Sequence, residues 1–99
     1  LESSPEVKIP YGVVTISLPG ASPADMEELV IKKIEPEIAG LKGLKQMKAT
    51  ALNSFATITA EFNANQDLND SIRRLRDAVN KAKPNLPSEA SDPQVMDSH

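Results

Sequence analysis

Few side chains in this 99-residue chain are of types that do chemistry, and their placement decides what they can do. The only histidine, His99, is the last residue, so a Ser-His-Asp relay or an imidazole metal site would have to be assembled at a chain end; an end residue or tag remnant is the plainer reading. Glu27, Glu28, Glu35 and Glu37 supply carboxylates along one segment. Acid–base work needs one of a pair held protonated by burial, and the surrounding sequence offers none, so a solvated helix face is expected. Met26, Met47 and Met96 carry thioethers that suit a soft metal, but the first two fall on apolar stripes and the third on a short strand, which reads as gap-filling. "IRRLRDAV" puts Arg73, Arg74 and Arg76 on one helix, as an anion patch would. Asp70 precedes Arg74 by four residues and Arg73 precedes Asp77 by four, so intrahelical pairs are expected to neutralise much of that charge. No catalytic, cofactor or metal constellation survives, which favours a binding, packing or scaffold role over an enzyme.

Composition narrows the class further. With 39% apolar and 25% charged residues the chain suits one globular domain with a single core. A net charge of -3 and only three aromatics (Tyr11, Phe55, Phe62) argue against a nucleic-acid partner, which needs a basic face or a stacking platform. Without cysteine there is neither a disulfide framework nor a thiolate metal site. No apolar run is long enough to cross a bilayer or to form a signal peptide, so if the chain works at a membrane, another part of a larger protein holds it there.

The elements that must position these residues follow from local pattern. Residues 1–10, "LESSPEVKIP", have no periodicity and two prolines, and read as a linker or cloning-derived segment, with the folded domain spanning 11–99. "GVVTISL" is a central strand with Val14, Ile16 and Leu18 on one face and Val13, Thr15 and Ser17 on the other. Pro19-Gly20 ends it in a turn with a single glycine, which lacks the G-x-G-x-x-G or Gly-Lys-Ser/Thr spacing of a phosphate cradle. Ser22, Pro23 and Asp25 then make a helix start. Met26, Leu29, Val30, Ile34, Ile38 and Leu41 form the apolar stripe of this helix, Pro36 is expected to bend or break its last turns, and Gly40 and Gly43 terminate it.

"LKQMKATAL" and "FATITAEF" alternate with period two around Asn53-Ser54, which predicts a β-hairpin. Asp67 caps a second helix with Leu68, Ile72, Leu75, Val79 and Ala82 on its buried side, stopped by Pro84 and Pro87. "DPQVMDS" holds a short edge strand. The order strand, helix, strand, strand, helix, strand predicts an α+β, ferredoxin-like βαββαβ two-layer sandwich, with an antiparallel-type sheet, the first and third strands central and both helices on one face. The uncovered face would show Thr15, Ser17, Thr57 and Thr59 with Val13 and Phe55 among them.

As an ordered set, several of these stretches resemble the resistance-nodulation-division (RND) efflux transporters of the AcrB/AcrD/AcrF type, specifically their first porter subdomain, which follows the first transmembrane helix. The stretches are Pro5, Glu6 and Pro10, then "VTISLPGASP", "IEPEIAGLKGL", "ITAEF", "QDL" and "KPNLP", covering nearly the whole chain. Pro36, the short hairpin turn, and Arg73 with Asp77 depart from the family pattern and leave the exported substrate open. The resemblance implies a periplasmic piece of a proton-driven, homotrimeric exporter in the bacterial inner membrane. Its partners would be the remaining porter subdomains, the transmembrane domain, a periplasmic adaptor and an outer-membrane channel. The resemblance also implies that the second helix packs about the trimer axis, with Asn69, Arg73, Asp77 and Asn80 facing that axis, and that the piece is inactive alone. The rival reading is a free-standing ferredoxin-like regulatory domain that binds a small ligand between paired sheets. An acylphosphatase-like enzyme ranks last, because the Pro19–Pro23 loop lacks an arginine and asparagine constellation.

Overall fold

A computed structural model describes residues 8–98; the expectations for residues 1–7 of the leading segment and for His99 lie outside them. Four antiparallel strands, β1 (Tyr11–Ser17), β2 (Leu44–Leu52), β3 (Phe55–Phe62) and β4 (Gln94–Asp97), form one sheet in the order β2-β3-β1-β4. The expected ferredoxin-like arrangement is therefore what the chain adopts, with β1 and β3 central. Alternation along the strands sorts side chains by face. Val14, Ile16, Ala56, Ile58, Ala60 and Phe62 are buried beneath the helices, with Met47, Ala49, Ala51 and Val95 half-buried beside them. Pro10 is buried too, and its carbonyl accepts the N–H of Phe62 at 2.9 Å. At the β2 edge the register slips between Leu44 and Gln46, and Lys45 and Lys48 are exposed. A bulge and edge lysines are devices that discourage pairing with a foreign strand.

The turn after β1 binds the tip of the hairpin. Leu18-Pro19-Gly20-Ala21 closes through Ala21 N–H to the Leu18 carbonyl at 3.1 Å, with Gly20 at φ +82, the backbone of a type II turn. Across from it Ser54 sits at φ +62, a left-handed conformation uncommon for serine. Three bonds hold it there. Its N–H donates to the Ala21 carbonyl (2.8 Å), its carbonyl accepts from Leu18 N–H (2.9 Å), and its Oγ accepts from Gly20 N–H (2.9 Å). The helix that follows is closed by its own residues: Ser22 Oγ accepts from Asp25 N–H at 3.1 Å while Asp25 Oδ2 accepts from Ser22 N–H at 3.3 Å. Amides that an anion would need are thus engaged internally.

That first helix differs from the expectation in two ways. It runs as α1 (Pro23–Met26), a π turn (Glu27–Ile31) and α2 (Lys32–Ala39), and it continues through Pro36 rather than breaking there. Leu29, placed on the apolar stripe by pattern, is 41% exposed, and Ile31 is buried instead. Both follow from spacing. The fully buried Met26, Val30, Ile34 and Ile38 recur every four residues. On an α-helix of about 3.6 residues per turn each such step drifts about 40°, so three steps carry the stripe about a third of the way round. The π turn, in which Lys32 N–H reaches the Glu27 carbonyl five residues back, absorbs one residue and realigns the stripe. It lies on the N-terminal side of Pro36, the side on which a proline ring crowds the preceding turn.

The second helix, α3 (Leu68–Ala82), is capped by Asp67, whose Oδ2 accepts from Asp70 N–H at 3.0 Å. Ile72, Leu75, Ala78, Val79 and Ala82 are buried, Leu68 half-buried. A 3₁₀ turn (Lys83–Asn85) containing Pro84 ends it. Its distance from the sheet is set by Gly12 of β1: a Cβ there would lie 2.5 Å from Leu75 Cδ2 and 2.8 Å from Ile72 Cδ1.

Two predictions test this architecture. Ile58→Ala and Leu75→Ala each leave a cavity and are expected to cost about 2–4 kcal/mol in denaturant unfolding, while Thr57→Ala on the uncovered face costs little; equal small losses at all three would refute the face assignment. Deleting Leu29 should excise the π turn and leave an α-compatible stripe, with a melting shift no larger than the about 4–8 °C that 1 kcal/mol produces in a domain of this size. Deleting the exposed Arg73 from regular α3 should instead turn Leu75, Val79 and Ala82 about 100° from the sheet and unfold the chain. Similar damage from both deletions would mean that the π turn does not compensate for spacing.

Candidate functional site

The outward face of α3 carries the residues singled out by sequence. Asn69, Arg73, Asp77 and Asn80 are all exposed, on the side of the helix opposite Ile72, Leu75 and Val79. Their charge pairing differs from the expected Asp70–Arg74 and Arg73–Asp77 pairs. Arg73 Nη1 instead meets Asp70 Oδ1 at 2.9 Å, three residues back, with the two side chains 65% and 45% exposed. Steps of three and of four both bring helical neighbours together, and Asp70, already held in the first turn by the cap, takes the nearer one.

The three arginines do not converge on a common point. Arg76 leans the other way, its Nη2 donating to the Val95 carbonyl of β4 at 3.5 Å, and Arg74 is half-buried on the flank that also carries Lys81. Lys81 Nζ in turn meets Glu37 Oε1 of α2 at 3.8 Å. Arg76 is the residue that sequence reading left out of the face. Beside it lies a cleft of about 210 Å³ lined by Val79, Asn80, Pro93, Gln94 and Val95. Its signal was present in the spacing, three residues after Arg73 and four before Asn80, on the same side of a helix.

The uncovered sheet face is the second surface. Thr15 lies opposite Thr57, Val13 opposite Thr59 and Met96, and Phe55 opposite Ser17 and Leu52. Leu52 (50%), Met96 (53%), Tyr11 (42%) and Phe55 (37%) are exposed on it, and the exposed Ile9 lies beside Tyr11 and Thr59. Met96 is therefore not gap-filling: pairing with Val13 turns it outward, whereas Met26 is buried and Met47 half-buried. Of the glutamates, Glu28 pairs with Lys32 at 3.2 Å within the helix and Glu37 with Lys81, while Glu27 and Glu35 are half-buried. Among the described residues no group of three or more histidine, cysteine or acidic side chains is placed to hold a metal, and no helix is long and apolar enough to cross a membrane.

Comparison with known proteins gives these surfaces a context. The model of the AcrB/AcrD/AcrF family matches residues 1–99. The chain belongs to the AcrB/AcrD/AcrF family. Among curated relatives, the multidrug resistance protein MdtC of Enterobacter sp. (strain 638) is 34% identical over 84 residues, 85% of this chain and 8% of MdtC. MdtC of Cronobacter sakazakii (strain ATCC BAA-894) is 36% identical over the same length and shares. The swarming motility protein SwrC of Bacillus subtilis (strain 168) is 27% identical over 94 residues, 95% of this chain and 9% of SwrC. The chain thus spans less than a tenth of the length of these relatives, and the family read from the ordered motifs is the one the match shows.

Because Arg73 and Asp70 are both solvent-exposed, their pair contributes little to the fold. Arg73→Asp in the 99-residue chain is expected to lower stability by only a few tenths of a kcal/mol, measured by thermal unfolding. Outright unfolding would show that the side chain is packed rather than presented.

Proposed function

We propose that this chain is the first porter subdomain of a proton-driven RND exporter, placed on the periplasmic side of the bacterial inner membrane and inactive alone. In that setting it shapes the pore of a homotrimer and relays conformational change during export. Its partners are the remaining porter subdomains and the transmembrane domain of the same protein, and beyond them an adaptor and an outer-membrane channel. The observation that supports this most is the outward face of α3: Asn69, Arg73, Asp77 and Asn80 are exposed and uncommitted to the core, opposite a continuous buried stripe. A helix seated in this way is available for packing around a threefold axis. The uncovered sheet face, threonine-rich with Phe55, Leu52 and Met96 exposed, supplies a second surface on which neighbouring subdomains can dock.

In the full-length transporter, Arg73→Asp would place three acidic side chains about the axis where each Arg73 now balances its own Asp70. Reduced export in cells and a weakened trimer are expected, with the isolated chain little changed. Unimpaired export would remove α3 from the axis. The parent reading frame tests the placement in the membrane: an apolar segment of about 20 residues immediately before residue 1 is expected, since that length spans a bilayer. A frame without one would favour the regulatory-domain alternative.

A further inference from the structure

We infer that in the trimer Arg76 of each copy pairs with Asp77 of the next, which rests on the reading above that α3 lies along a threefold axis. At about 100° per residue, Arg73 and Asn80 point within about 20° of each other, Arg76 lies about 60° to one side of Arg73, and Asp77 about 40° to the other. In a closed ring of three parallel helices, each helix meets its two neighbours along directions about 60° apart that straddle the line to the axis. With Arg73 and Asn80 turned to the axis, the Arg76 flank faces one neighbour and the Asp77 flank faces the other. Height along the axis then agrees. A threefold rotation leaves height unchanged, and consecutive helical residues differ by only about 1.5 Å in rise, so Arg76 of one copy and Asp77 of the next stand at one level. The contact is head-to-tail and closes after three copies.

Both groups are available for it. Arg76 and Asp77 are exposed, and among the described residues neither belongs to an ion pair, because Asp70 is taken by Arg73 and Glu37 by Lys81. The long 3.5 Å bond to the Val95 carbonyl engages one nitrogen of Arg76 and leaves the rest of the guanidinium fork for a carboxylate. Asn80, which lines the cleft beside it, offers an amide donor to the same carboxylate, while the Gln94 amide is turned to the Asp92 carbonyl at 3.2 Å. Arg73 carries its own counter-ion inward, so three copies of it can approach the axis without three uncompensated charges.

The test uses the full-length transporter in a cysteine-free background and a short bifunctional thiol reagent. Arg73→Cys alone reports on the axis: cross-linked dimers are expected, and their absence would overturn the axial placement and this pairing together. Co-expression of differently tagged Arg76→Cys and Asp77→Cys copies should give a dimer carrying both tags as the dominant product, with little dimer from either variant alone. Cross-linking at Arg73→Cys without the mixed product would overturn the pairing and leave the axial placement standing. Charge reversal supplies the independent check. Arg76→Asp should lose the trimer at dilutions where the parent keeps it, and adding Asp77→Arg should restore it; a double reversal as weak as the single one counts against the pairing.

Discussion

The arrangement of this molecule hangs on an absent side chain. With only a hydrogen at Gly12, the Leu75 and Ile72 methyl groups come down onto the backbone of β1, and a Cβ at that position would overlap both. Seating depth is a matter of rotation as well as distance. Because α3 is held by one stripe, fixing Leu75 and Ile72 against β1 fixes which residues face outward, and hence where Asn69, Arg73, Asp77 and Asn80 stand. A methyl group inserted here would force shifts costing about 1–3 kcal/mol in a packed core and would tilt the outer face with the inner one. Surface geometry in so small a sandwich is thus written from the interior.

The elements whose signals were local and additive were legible in the sequence. The Ser22–Asp25 start, the Asp67 cap, the period-two hairpin and the proline stop after Ala82 all stand where propensity and spacing put them, and the sheet order followed from the handedness of crossovers. What escaped was a mismatch between two periods. Reading Leu29 onto the stripe assumed a helix of constant pitch, yet the recurrence of Met26, Val30, Ile34 and Ile38 at steps of four already fits a helix wider than α. The ion pairs escaped for a different reason: steps of three and four compete on a helix surface, and the choice depends on side-chain reach rather than on sequence distance.

The candidate surfaces were legible to a similar degree. The polar outward face of α3 and the mixed face of the sheet both follow from alternation against a buried stripe. Asn69, Arg73, Asp77 and Asn80 are exposed as named, whereas on the sheet Val13, Thr15, Ser17, Thr57 and Thr59 are half-buried and Tyr11, Leu52 and Met96, which the pattern did not single out, are exposed beside Phe55. Arg76 was missed because, in a run of three arginines, sequence alone does not say which cation is spoken for. Only the geometry separates Arg73, engaged with Asp70, from Arg76, turned toward the edge strand.

The clasp between Ser54 and the turn after β1 bears on how such chains tolerate change in length. Since the amide, carbonyl and hydroxyl of one residue are all engaged by Leu18, Gly20 and Ala21, an extra residue in the hairpin tip would pull all three bonds out of reach at once, leaving the backbone of the buried Leu18 and Ala21 without these partners. Two loops far apart in the chain therefore behave as one unit of fixed size. Insertions and deletions that persist at this end of the sheet should come as matched changes in both loops, whereas the stretch between the end of α3 and β4, which meets β1 chiefly through Ser91, has room to vary on its own.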